Sequence, residues 1–453
     1  MNDFRNPICA ISYLSRLGST RFLAISAIAF LFLAGISTSH GFTANDSSKT
    51  VLSDGSVSDT QAAVNYVAGK SQDNWVLTVG SAGASYTWAS ALNVNIPKIF
   101  TIRGASASNR PTITSTTTAG FGISVSCTNT KTITIKDLKF GGWSASNAMF
   151  GLSGAGVDCF RITNIQFPGA IKFAFWTSGI GQGGGEGPYG VIDNCTWPNG
   201  GGVGFFRDNP GSNPNSWHRA MSWGTKKAVY IEDCTMTSTN PPQWSGALDG
   251  DNGARIVYRH NTIKNAIAHV HGADSGGPIN SALQVEMMHN TFTVDQGSDC
   301  VFFLRGGSAL FFDNTINRTG GGFYNFVVKQ KFYRGTSCEG VCSVDYTYPG
   351  HYIGPQQPGC GYVGVAGQIK YSAYASEPWG SVPVYVWGNR VNAPLTYGLI
   401  NGDSWFQLNR DYFLSPKPGY TEFTYPHPLR GGTPSPPPAQ PSPPTNLRII
   451  SGQ

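Results

Sequence analysis

The chain has 453 residues, 57 of them Gly, with 12% aromatic, only 12% charged and a formal net charge of +6. The charged fraction is about half that of an average globular domain. With so many aromatics this excludes a disordered chain and fits a turn-rich protein that buries a long core. The weak positive balance gives no reason to expect nucleic acid as a partner.

In chain order, Arg5, Arg16 and Arg21 precede an apolar run from Phe22 to Ile36 and then the small residues Ser37, Thr38 and Ser39. This pattern predicts a signal peptide over residues 1–41 with a long basic leading region. The run is shorter than the ~20 residues a spanning helix needs, and no Cys follows it to take a lipid. The expected location is secreted, periplasmic or at a bacterial cell surface, with no membrane attachment after cleavage. Residues 42–432 are expected to form one domain, and a monomer.

An eight-residue phrase then recurs along that domain. It reads ITIKDLKF from Ile133, FRITNIQF from Phe160, GVIDNCTW from Gly190 and VYIEDCTM from Val229. It returns as IVYRHNTI from Ile256, VEMMHNTF from Val285, ALFFDNTI from Ala309 and VYVWGNRV from Val384. Columns one and three are mostly apolar, whereas columns two and four carry Lys136, Arg161, Asp193, Glu232, Arg259 and Glu286. Alternation of period two marks a strand. One short strand in each irregular repeat, with no convincing helix between repeats, predicts a parallel β-helix, an all-β solenoid with long loop insertions. Column six runs Leu138, Ile165, Cys195, Cys234, Asn261, Asn290, Asn314 and Asn389, which predicts an inward asparagine ladder. Cys195 and Cys234 share that column on adjacent coils and are expected as stacked buried thiols.

Between Asn314 and Asn389 lies a long insertion with Cys338, Cys342 and Cys360, where export makes one disulfide possible. From Gly432 the chain reads GTPSPPPAQPSPPTNLRIISGQ. Residues 433–453 are therefore expected to be a Pro-rich spacer or tail. Its last residues, PTNLRII, look like the opening strand of a fibronectin type III module.

Five segments carry a family resemblance: KKAVYIEDCTM from Lys226, DGDNGARIVYRHNTI from Asp249, HVHGADSGG from His269, FLRGGS from Phe303 and YPHPLRGG from Tyr425. With them, roughly residues 50–432 resemble the pectate-lyase-like superfamily of right-handed parallel β-helices, and more closely secreted bacterial β-helix repeat proteins. The resemblance implies the fold. It leaves the activity open, because that fold hosts polysaccharide lyases, glycosidases, epimerases, esterases and non-catalytic adhesins. The chain has no clear pectate-lyase catalytic signature.

A solenoid binds long polymers along an outer face, so functional residues are expected outward and in register on neighbouring coils. Strand ends at GFFRDNP, GALDGD, AHVHGAD and FFLRGGS predict one outward row of Arg207, Asp249, His271 and Arg305, edged by Asp251, Arg255 and Asp274. The insertions 198–227 and 237–254 bring Trp217, His218, Trp223 and Trp244, expected with His269 to bind substrate by walling a groove. In a lyase, His271 would be the base and Arg207, Arg255 or Arg305 the neutraliser of enolate charge. In a hydrolase, Asp249 would work with Asp251 or Asp274. The alternative is a non-catalytic carbohydrate-binding or surface protein, in which Asp249 and Asp251 are turn residues and His271 caps a turn. Ca²⁺ is possible only if Glu232 and Asp233 join Asp249 and Asp251, because DGDNG supplies too few oxygens. Arg255 and Arg259 are expected to pair with Glu232 and Glu286 in an outer ladder. No other cofactor is implied.

Overall fold

The computed structural model describes residues 41–118, 120–128, 130–143, 148–167, 173–179, 187–200, 204–209, 221–238, 247–250, 253–270, 282–295, 301–304, 308–319, 328–330, 383–392, 400–401, 408–409 and 412–431. The predicted signal peptide, the Cys-containing insertion and the Pro-rich tail lie outside the described residues.

The chain is a parallel β-helix of about eight turns. Its eight phrases lie in one 13-stranded sheet in which each pairs with the next in register, Ile162 with Ile192, Ile192 with Ile231, Ile231 with Tyr258 and Tyr258 with Met287. Each coil then turns onto a second face and a third. Val229–Glu232 is followed by Thr235–Ser238 and then Leu248–Gly250, and the next coil opens with Arg255–Arg259. The third face is a 10-stranded sheet. Among the described strands the one antiparallel pair is Thr43–Asn45 with Thr50–Ser53, at the N-terminal end.

Columns one and three are buried in every phrase. Column eight is buried from Phe140 to Ile316, and Val391 packs partly buried against the same core. Column five makes the corner between the first two faces. Its residues are Asp137, Asn164, Asn194, Asp233, His260, His289, Asp313 and Gly388, and all have φ between 50 and 64°. That left-handed conformation suits Asn, Asp, His and Gly best, and it explains the composition of the column. Column six then points inward. Asn261 Nδ2 donates to Asn290 Oδ1, Asn290 Nδ2 to Asn314 Oδ1, and Asn314 Nδ2 to Asn389 Oδ1, each at 3.0 Å. The same amides donate to the carbonyls of Ile231, Tyr258, Met287 and Phe311. Cys195 and Cys234 continue the column as free, buried thiols.

Two elements close the solenoid. Helix α1, Val57–Ala68, is capped by the Ser56 hydroxyl accepting from Asp59 N, and it buries Ala63, Val64 and Val67 against the first coils. A terminal coil would otherwise leave its core open to water. Tyr412–Phe413 adds the last strand of the first sheet, and residues 414–431 then form a strap that runs back along its outer face. Tyr420 reaches Phe312 and Trp387, Phe423 reaches Tyr230, and Arg430 reaches Asp193 and Glu232. The strap is irregular backbone, so the side chains beneath it supply partners for its peptide groups. Arg259 donates to the carbonyls of Phe423 and Thr424, Arg161 to those of Leu429 and Arg430, and Glu232 accepts from His427 N.

Candidate functional site

Charge concentrates on two outer faces. Under the strap, Arg161 grips Asp193, and Arg430 bridges Asp193, Glu232 and Asp233. Arg259 holds Glu232 at 2.6 Å with both side chains fully buried. The expected Arg259–Glu232 rung is therefore present, but Arg255 and Glu286 do not follow the expected pattern. Arg255 donates to the Tyr189 hydroxyl at 3.2 Å. Glu286 accepts from Tyr420 at 2.6 Å, from Gly224 N and from Gln284 Nε2. Burial pushes the Glu286 carboxyl up to about 7. His260 and His427 are pushed down to about 4, again chiefly by burial. Glu232, Asp193 and Asp233 spend their oxygens on guanidiniums and strap groups, so this face holds the strap.

That placement also corrects the calcium expectation. Glu232 and Asp249 lie in different sheets, and the Glu232 oxygens are taken by Arg259, Arg430 and His427 N. No group of three His, Cys, Asp or Glu side chains that could hold a metal occurs among the described residues. Trp223 is corrected too. It packs against the apolar outer face of the first sheet, with Tyr420 and Phe423, rather than walling a groove on the third.

The third sheet carries the second concentration. Its register aligns Trp176 with Arg207, Arg207 with Asp249, Asp249 with His269, His269 with Phe303 and Phe303 with Lys329. In this register Arg207 and Asp249 are neighbours, and the positions that follow are His269 and Phe303. The rungs predicted for His271 and Arg305 are offset from the row by two residues in sequence. Leu248, Ala268, Val270, Phe302 and Leu304 belong to the inner core, so Asp249, His269 and Phe303 face away from it. His269 Nδ1 stands 3.8 Å from Asp249 Oδ1, with side-chain exposures of only 3% and 1%. The His269 ring also lies 5.5 Å from the Phe303 ring. At 3.8 Å the Asp249 carboxylate and the His269 imidazole are neighbours in register and not a hydrogen-bonded pair. His271, Arg305, Asp251, Asp274, Trp217, His218 and Trp244 lie outside the described residues. Arg207 is placed by its backbone register.

The aromatic end of the row gave no signal in the sequence reading. Gly151 pairs with Trp176, and the Phe121 ring occupies the space a side chain at Gly151 would need, 2.4 Å from its ideal Cβ position. Phe121 and Phe173 then meet the Trp176 indole edge to face, at 6.2 and 5.7 Å between centroids.

The fold and this row define a parallel β-helix with an aligned aromatic and ionisable row on the outside of one face. No protein-family model matches the chain, and no curated protein matches it. Among solved structures the chain is similar to an alginate lyase from Paenibacillus sp. str. FPU-7. That match has 14% identity and a TM-score of 0.32, and it covers 62% of this chain and 98% of that one. A likeness of that degree adds nothing to the site, and the fold stands on the strand register. No helix among the described residues is long and apolar enough to cross a membrane.

Proposed function

We propose that this is an exported enzyme acting on extracellular polysaccharide by lyase chemistry, with its reacting centre at Arg207, Asp249 and His269. The observation that carries the proposal is the buried Asp249–His269 pair, in register on adjacent coils beside Arg207. An imidazole beside a carboxylate is suited to accept the proton next to a sugar carboxylate. The bond to the leaving sugar then breaks, a double bond forms, and the proton is passed on towards the leaving oxygen. Arg207, one coil away, supplies positive charge for the enolate that develops. Glycoside hydrolysis needs two carboxylates. Asp251 and Asp274, the candidates for a second carboxylate, lie outside the described residues. His271 is the competing base, and Arg255 and Arg305 are competing neutralisers.

A panel of neutral and uronate-containing polysaccharides tests the proposal. Elimination is read as ultraviolet absorbance of the unsaturated product, and hydrolysis as reducing ends without that absorbance. Unsaturated product supports the lyase reading. Reducing ends alone would move the chemistry to a carboxylate pair. Retention in polysaccharide gels with no product of either kind would make this a binding protein.

A further inference from the structure

We infer that Trp176, with Phe121 beside it, is a sugar-stacking subsite, and that the polymer lies along the solenoid axis with about one sugar ring per coil. The inference rests on the polysaccharide reading and extends it to chain direction and to a binding residue.

Three observations converge on Trp176. First, it stands in the same outward row as Arg207, Asp249 and His269, one coil before Arg207 and two before Asp249. Strands of neighbouring coils lie about 4.8 Å apart, so Trp176 is about 10 Å from Asp249 along the axis, roughly the length of two pyranose rings. Secondly, Trp176 and Phe121 are only partly buried, whereas inward rings of the same sheet, Phe150 and Phe175, are wholly buried and stacked 5.2 Å apart. Large apolar rings left partly exposed together on an outer face mark a place where something docks. Thirdly, the two rings touch because position 151 is Gly. Any side chain there would meet the Phe121 ring, so the pair depends on an absent side chain on the outer face. Phe173 also meets the indole edge to face.

The occupant is fixed by chemistry on the same row. One end offers rings, which suit the apolar C–H face of a sugar. The other is the register position of Arg207, Asp249 and His269, the reacting centre proposed above. Both ends belong to one straight line of residues one coil apart. An extended polymer with a short repeat along its axis can meet every coil, and a compact small molecule cannot.

The experiment uses the full chain and oligosaccharides of increasing length made from whichever polysaccharide the wild type cleaves. Trp176→Ala is expected to raise KM by about 3- to 10-fold on chains long enough to span from Asp249 to Trp176, with the penalty growing with length. The effect should fall mainly on KM rather than kcat, and Trp176→Phe should recover most of it. Affinity electrophoresis in gels containing polysaccharide reads the same subsite without any need for turnover, and thermal melts check that each variant is folded. A KM penalty independent of chain length, or none, overturns the subsite while leaving the polysaccharide reading in place. A wild type that neither cleaves nor is retarded by any polysaccharide overturns both.

Discussion

Replacing Asn290 by Leu removes the central rung of the asparagine ladder, and the cost can be worked from its partners. Asn290 Oδ1 accepts from both Asn261 N and Asn261 Nδ2, and Asn290 Nδ2 donates to Tyr258 O and Asn314 Oδ1. The Asn314 oxygen keeps the backbone donor of residue 290, and the Asn261 amide keeps Ile231 O. Two buried backbone groups, Asn261 N and Tyr258 O, are left without those partners. At about 1–3 kcal/mol for each stranded group, the loss is about 4 kcal/mol. Burying the Leu side chain returns about 2 kcal/mol. The net destabilisation is therefore about 2 kcal/mol, read as a lower denaturant midpoint at unchanged slope. Asn290→Ser, which keeps one short polar group, should fall between the two. An Asn290→Leu midpoint equal to that of the wild type would mean that the ladder does not stabilise the coils.

Other perturbations address the strap and the ionisable groups. Arg259→Met should destabilise by about 3–5 kcal/mol, because it leaves Glu232 buried with one partner fewer and frees the strap carbonyls. Arg259→Lys should not restore stability, because an ammonium cannot serve the carboxylate and two carbonyls in that plane. Limited proteolysis within 414–431 should quicken in both variants, and an unchanged cleavage rate would argue that the strap is held by its aromatics alone. Glu286 has a folded pKa raised from 4.5 to about 7. The folded state therefore holds the proton more tightly, and this group costs stability as pH rises from about 4.5 to about 7. Glu286→Gln should accordingly gain stability relative to the wild type above about pH 7 and none below about pH 4.5; equal gains at both ends would refute the assignment. His260 and His427, lowered to about 4, act in the opposite sense. Their neutral forms are required for folding, so stability should fall as pH drops from about 6.5 to about 4. His427→Gln should blunt that fall in thermal melts.

Much of the fold was legible because one column pattern is written eight times. The strands Trp75–Val79 and Phe100–Gly104 belong to the same sheet but carry no phrase, since the positions in line with column five, Val79 and Gly104, lack the Asp, Asn or His that marks the later coils. Helix α1 was missed outside the repeats, although Ser56 followed by Asp59 and the spacing of Ala63, Val64 and Val67 are its ordinary signals. The strap could not be read at all. The side chains that hydrogen-bond it lie between 133 and 269 residues away, as in His289–Glu422 and Arg161–Arg430, and no local pattern announces them.

The register of the third face was not legible in the sequence. Leu248–Gly250, Ala268–Val270 and Phe302–Leu304 are three-residue strands that follow insertions of unequal length. A slip of two residues keeps every side chain on its own face, so alternation cannot tell His269 from His271 as the neighbour of Asp249. Backbone pairing decides it for His269. The aromatic end was invisible because its cause is the missing side chain of Gly151, which places Phe121 against Trp176.

The most direct test of the proposed activity is turnover of His269→Gln beside His271→Gln, on the polysaccharide that gives unsaturated product with the wild type. If His269, beside Asp249, is the base, its variant should lose about 100-fold or more in kcat with a nearly unchanged melt. The His271 variant should stay within a few-fold of the wild type. Full turnover in the His269 variant, with loss in the His271 variant, would contradict the assignment and move the base two residues along the chain.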